Sequence, residues 1–207
     1  MLNSRPHPAN VYEKGNKKFF AAELKPDGTY GAKEYHEGLM TVEISWESEK
    51  TNIGADDNPR FVEFNSPLIG TASIEFAALP FHFYTKFFDA RIDKNGAIVV
   101  SSQNRPREVG IGFSTTRADG VELMYTLYCA VLKLPALETA SFDGQTIRNI
   151  TIEANVYPFT FKNGKTESYS ILASDQPAWA AAQDAIYIPD ADLPQGLSAG
   201  IEEADDE

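Results

Sequence analysis

Apolar and polar residues alternate with a period of two along most of this chain, the signature of strands with one buried and one wet face. Met40, Val42, Ile44 and Trp46 alternate with Thr41, Glu43, Ser45 and Glu47. Ala72, Ile74 and Phe76 alternate with Thr71, Ser73 and Glu75, and Ile150, Ile152 and Ala154 with Thr151, Glu153 and Asn155. Val109, Ile111 and Phe113 alternate with Gly110, Gly112 and Ser114, which predicts a further half-buried strand. From Val121 to Leu132 both phases are apolar, which predicts a strand covered on both faces.

Turn chemistry separates these runs. Pro26-Asp27-Gly28, Asp93-Lys94-Asn95-Gly96, Ala118-Asp119-Gly120 and Lys162-Asn163-Gly164-Lys165 each place glycine or asparagine where a tight turn needs positive φ. Two segments are helical in character. Pro80 to Ala90 opens with proline at a plausible first helical position, and Phe81, Tyr84, Phe87 and Phe88 then form one aromatic stripe suited to covering a sheet. Pro177 to Ala185 is short and alanine-rich. The expected fold is all-β dominated, a sandwich or barrel with one flanking α-helix. One connection interrupts it: Glu47 to Arg60 is long, polar and charged, with Gly54 and Pro59 to break regular structure, and long loops in compact domains tend to carry function.

Composition narrows the function. The 207 residues carry 18 basic and 30 acidic side chains, a net charge of −12. Seven of the acids lie from Asp190 onward with no base among them, so 23 acids face 18 bases in the remainder, a body charge of −5. An acidic body disfavours gripping nucleic acid, because phosphate contacts need lysine and arginine. No stretch approaches the ~18 apolar residues of a membrane-spanning helix, so no membrane anchor is expected. Met1 to Asn10 is polar and broken by Pro6 and Pro8, unlike a secretory signal, and the lone Cys129 forms no internal disulfide. Synthesis in a reducing cytoplasm follows as the default. The organisation expected is an N-terminal arm (1–18), one β domain (19–189) and an acidic tail (190–207).

Catalytic chemistry is not legible. His7, His36 and His82 show no HxH or HExxH spacing, so no metal or other cofactor is expected, and His82 reads as a packing or helix-surface residue. No GxSxG elbow occurs, and Cys129 sits mid-strand as an inert core thiol. Gly110-Ile111-Gly112 begins like a dinucleotide fingerprint, but Thr115 holds the third glycine position and the segment is a strand rather than a strand-to-helix turn. A calcium loop with Gly96 at its sixth position would need carboxylates where Arg91 and Ser102 stand. No residue is assigned as catalytic, and the chain is not read as an enzyme.

The order of these pieces, over about Val11 to Asp190, resembles the major tail proteins that form the tail tube of long, non-contractile bacteriophage tails. The resemblance is carried by Phe19–Leu24, Thr29-Tyr30-Gly31, Glu37–Ser45, Gly54–Asn58, and Gly70–Phe76 running into the helix at Pro80. It continues through Asp93–Val99, the glycine-containing strand at 108–114, and Tyr125–Leu132. Some relatives carry a C-terminal immunoglobulin-like domain, which is not expected here. The resemblance implies a β-sandwich assembled with copies of itself into hexameric rings. The rings stack into a tube in the virion tail, with a tape-measure protein and tail initiator and terminator proteins as further partners. Double-stranded DNA passes through such a tube at infection without specific binding.

Within that reading Glu47, Glu49, Lys50, Asn52, Asp56, Asp57, Asn58 and Arg60 of the long connection are candidates for contact between rings, as is the arm Met1 to Lys18. Glu43, Glu75 and Glu153, outward on their strands, are candidates for an acidic lumen wall that lets phosphate slide. Two alternatives stay open. One is the tube subunit of a bacterial secretion or contractile injection system. The other is a ligand-binding β-sandwich whose aromatic segment lines a pocket.

Overall fold

The computed structural model describes residues 13–48, 50–55, 58–101, 103–135 and 149–189. The chain is all-β dominated: among the described residues two short helices accompany its strands, and the principal sheet is antiparallel throughout. In chain order its strands are β1 (Glu13–Glu23), β2 (Glu34–His36) and β3 (Leu39–Glu47); then, after a hairpin of β4 (Lys50–Ala55) and β5 (Asn58–Asn65), β6 (Ile69–Phe76). Helix α1 (Phe81–Phe87) and the small hairpin β7 (Arg91–Ile92) and β8 (Ile98–Val99) lead to β9 (Glu108–Arg117), β10 (Glu122–Leu132) and β11 (Ile150–Tyr157). The chain closes with β12 (Phe159–Thr160), β13 (Thr166–Glu167), β14 (Tyr169–Ala173) and helix α2 (Trp179–Asp184).

The principal sheet runs β2-β1-β9-β10-β11-β6-β3, with β14 also on β10. Strand β10 serves two layers. Its first half pairs β14, from Leu123 opposite Ala173 to Leu127 opposite Tyr169. Its second half pairs β11, from Cys129 opposite Tyr157 to Leu132 opposite Ala154. The sheet therefore folds over on itself along β10. Between the layers lies one core, with Phe19, Val109, Ile111 and Leu127 from one side and Ile74, Phe76, Ile152 and Val156 from the other. Burial of such alternating apolar faces is the main stabilising term of a sandwich.

Four details differ from the periodicity. Met40 is 45% exposed rather than buried. A register shift between Leu39 and Thr41 turns Leu39 inward in its place and leaves Val42, Ile44 and Trp46 in phase. Strand β9 is buried on both faces, not one. A second core covers its other side, where Phe20, Ala22, Met124, Tyr128, Phe161 and Ile186 meet. Glycine hid this from the pattern, because Gly110 and Gly112 are small to make room for Tyr30 and Phe20. In α1, Pro80 is extended (φ −66°, ψ 146°) and stands before the helix rather than at its first position. The fully buried aromatics there are Phe83, Phe87 and Phe88, with Tyr84 partly buried; the side chain of Phe81 lies outside the described residues. Phe83, which the expected stripe omits, touches His36, Phe76, Phe87 and Phe88.

The fourth difference is the long connection. Rather than an irregular loop it is the hairpin β4–β5, whose strands, among the described residues, pair only with each other. A register shift between Ile53 and Ala55 absorbs Gly54, and Pro59 sits one residue past the turn on an edge strand, where its missing N–H costs no ladder bond. Residues 13–18 belong to β1, where Tyr125 and Thr115 donate to the Glu13 carboxylate at 2.7 and 2.6 Å. Residues 1–12 and 190–207 lie outside the described residues.

The turns form where glycine allows. Gly28 (φ +78°) and Gly120 (φ +92°) close theirs by donating to the carbonyls of Lys25 and Arg117 at 2.9 Å each. Asp27 and Asp119 accept from the backbone N–H two residues on. The end of α2 is held by Lys33 and Tyr35, which donate to the carbonyls of Ala182 and Gln183 at 2.6 Å.

Candidate functional site

The two layers differ in what covers their outer faces. Outside β1, β9 and β10 the second core packs, roofed by Phe161, Ala182, Ile186, Trp179 and Tyr187. Outside β3, β6 and β11, Thr41, Glu43, Ser45, Glu47, Thr71, Thr151 and Glu153 are exposed. Register brings the three candidate acids onto this one face. Glu43 pairs with Ser73 and Ser73 with Glu153, forming a row across three strands; Glu75, one pair along, lies opposite Thr41 and Thr151. Asn149 donates to Glu75 at 2.7 Å. Lys133 reaches Glu153 at 3.1 Å, but both are about half exposed (47% and 59%), so this pair contributes little to stability. Among the described residues the face is thus hydroxyl-rich and acidic, and Lys133 is paired.

The free edge of that layer is β3. Among the described residues it pairs only β6, apart from one side-chain bond from Asn16 to the Met40 carbonyl at 3.2 Å. At its far end Glu47 is exposed and the hairpin departs. Of the candidate ring-contact residues, Lys50 and Asn52 lie on β4 and Asn58 and Arg60 on β5; their side chains, and Glu49, Asp56 and Asp57 altogether, are outside the described residues. The hairpin root is apolar and open. Leu68, Ile69, Tyr157, Tyr169 and Ile171 are all between 37% and 51% exposed. Trp46 stacks on Tyr169 with ring centroids 5.1 Å apart.

The pocket reading finds less. Phe83, Phe87 and Phe88 are sealed in the core, so the aromatic helix lines no cavity with them. A cavity of about 490 Å³ between β1, β2 and β3 is lined by Asn16, Lys17, Lys18 and Gln183 together with Tyr35, His36 and Leu39. One of about 260 Å³ lies under Trp46, Tyr125 and Ile171. Cys129 is buried, and burial, assisted by the Glu108 carboxylate, pushes its thiol up to about 11. A thiol reagent at neutral pH is expected to label the native protein at least ~100-fold more slowly than the urea-unfolded chain, because only the thiolate reacts. Comparable rates, followed by thiol absorbance, would contradict an inert Cys129.

Sequence spacing missed one constellation. Glu34 and His36, two apart on β2, and His82 on α1 bring one ligand atom each to within 4.8 Å of one another. The imidazoles of His36 and His82 stack with centroids 5.5 Å apart. Burial, and next the neighbouring His82, pull His36 down to about 4, so it is neutral at physiological pH. The local signal was the Glu-x-His pair on one strand; its partner is 46 residues away along the chain and only the packing of α1 supplies it.

No protein-family model matches the chain, and no curated protein matches it. Among solved structures it is similar to a chain of an extracellular contractile injection system, the PVC sheath-tube complex in its extended state. That match has 11% identity and a TM-score of 0.41, covering 83% of this chain and 99% of that one. It is also similar to a chain of the anti-feeding prophage cap, the AFP tube terminating cap, with 10% identity and a TM-score of 0.41, covering 84% of this chain and 100% of that one.

Proposed function

We propose that this chain is the structural subunit of a bacteriophage tail tube, closing head to tail into rings, hexameric in the form the sequence resemblance implies, that stack into a conduit for double-stranded DNA. The observation that carries this reading is the β3–β6–β11 layer, whose acidic face is exposed and, among the described residues, ends in an unpaired edge. An exposed edge strand invites pairing, and a cyclic arrangement satisfies it by giving every β3 a neighbour. Rings built through that edge join the bare faces into one wall. Glu43, Glu47, Glu75 and Glu153 then line the wall, while its Lys133 is held by Glu153, so among the described residues passing phosphates find no free cation on this face to linger on. The apolar root at Leu68, Ile69 and Tyr157, with the hairpin above it, suits burial against the next ring. A tape-measure protein inside, and initiator and terminator proteins at the ends, are the expected partners in the virion, after synthesis in the host cytoplasm.

Negative-stain microscopy of the concentrated full-length chain, alone and seeded with the tail-tip complex, tests the assembly. Rings or hollow tubes are expected; monomers under both conditions would overturn it. The lumen assignment is tested on the same tubes. Glu43→Lys with Glu153→Lys should leave folding within about 0.5 kcal/mol, as exposed substitutions do, yet make tubes retain duplex DNA at low salt. If the reversed tubes pass DNA as the wild type does, the wall lies elsewhere.

A further inference from the structure

We propose that Glu34, His36 and His82 form a binding site for a borderline divalent transition-metal ion, of the zinc, cobalt or nickel kind, that staples helix α1 to edge strand β2. Residues 34 and 36 project from the same face of β2, which pairs β1 through Phe19 opposite His36 and Ala21 opposite Glu34. Helix α1 lies over that face and supplies His82 from its first turn. The three ligand atoms lie within 4.8 Å of one another. Donors around a tetrahedral zinc sit about 3.3 Å apart, given bonds of about 2.0 Å. His82 is exposed and free to swing by that difference, whereas His36 is 4% exposed and fixed.

One further observation points to a cation. The Nε2 of His36 is buried with no hydrogen-bond partner, an unusual state for a polar atom so deep. Its ring is wedged among Phe19, Phe83 and Phe87, so it meets the site as a desolvated group held in place. Beside it the Glu34 carboxylate is held by the Lys86 ammonium, which a metal ion would have to displace. A metal ion would take the carboxylate and release Lys86 to solvent. Two imidazoles and one carboxylate favour zinc-like ions over magnesium or calcium, which prefer oxygen donors, and leave one position for water on the exposed His82 side. The chain's remaining histidine, His7, lies outside the described residues.

The test uses full-length protein freed of metal by a chelator. Titration with Co²⁺ should give the visible bands of a tetrahedral nitrogen–oxygen site at one ion per chain, and calorimetry with Zn²⁺ the same stoichiometry. At 100 times the dissociation constant the ion should shift the folding equilibrium roughly 100-fold, read as a rise in Tm. His82→Ala, at an exposed position, and Glu34→Gln should each weaken binding at least about tenfold. Lys86→Met, which removes the competing ammonium, should tighten it, and His7→Ala should leave it unchanged. Absence of one-to-one binding, affinity that survives His82→Ala, or affinity that is lost in His7→Ala would each overturn the proposal.

Discussion

Gly112→Ala lowers the stability of the domain by about 3 kcal/mol or more, the upper end for overpacking a core, while Gly110→Ala lowers it by only about half as much. The difference lies in what each new methyl meets. At Gly112 a Cβ collides with the Tyr125 carbonyl oxygen on the neighbouring strand and with the Phe20 ring. That carbonyl belongs to the β9–β10 ladder, between the pairs Tyr125–Phe113 and Thr126–Gly112, and cannot withdraw without breaking it. Phe20 is also held by the Lys33 ammonium, 3.6 Å from the ring centroid. At Gly110 the nearest atoms belong to side chains: the Tyr30 ring at 2.8 and 3.1 Å and Ile186 at 3.4 Å. Tyr30 is tethered by its hydroxyl, which donates to the Tyr128 carbonyl at 2.8 Å, so moving it has a cost, but a smaller one. The two sites therefore separate in double mutants. In a Tyr30→Leu background the Gly110→Ala penalty should shrink toward zero; in a Phe20→Leu background most of the Gly112→Ala penalty should persist, because the backbone oxygen remains. Urea unfolding measures both, with Trp46 reporting the core between the layers and Trp179 the outer one. A Gly112→Ala protein within about 1 kcal/mol of wild type, or a penalty abolished by Phe20→Leu, would show that the ladder yields there.

These glycines mark the boundary of what periodicity can express. Where burial is one-sided, as in β6 and β11, alternation named the inward residues correctly, since Ala72, Ile74, Phe76, Ile152 and Ala154 differ from their neighbours in polarity. On β9 the second buried face is written in absence of side chain, and a glycine looks alike whether water or an aromatic ring lies above it. The hairpin was obscured for the opposite reason. Its charged composition resembles a loop, and two strands that pair only with each other need no apolar face turned to the main core. The candidate acids were legible singly, as outward positions, but their shared face was not. It depends on the order β11-β6-β3, which brings Glu153 within two strands of Glu43 across more than a hundred residues of chain. Glu34, His36 and His82 were hidden likewise, because strand register and helix packing, not local spacing, bring them together.

Replacing residues 49–65 by Asn-Gly leaves a folded, soluble subunit that no longer grows tubes. The hairpin ladder is separate from the principal sheet, so its removal deletes no bond of β3 or β6. Its ends are already close: the Ser48 hydroxyl donates to the Ser66 carbonyl at 3.4 Å, and Glu47 pairs with Ile69. A short turn spans that gap, and the entropy gained by shortening the connection, about 1 kcal/mol, offsets the lost hairpin pairing. Urea midpoints should thus stay near wild type. Assembly should not. If the hairpin reaches from one ring to the next, rings can still close through β3, but stacking loses its contact, and microscopy should show rings without tubes. A stronger consequence follows from the head-to-tail geometry. A ring lacking the hairpin still offers the surface that receives one, so it can join a growing end and then present nothing to the following ring. Mixed with wild-type subunits, the truncated protein should shorten tubes at substoichiometric ratios rather than merely dilute them. Tubes of normal length from the truncated protein alone would remove the hairpin from the interface between rings. Shortening only in proportion to dilution would mean that such rings do not join growing ends, leaving the hairpin no directional role in stacking.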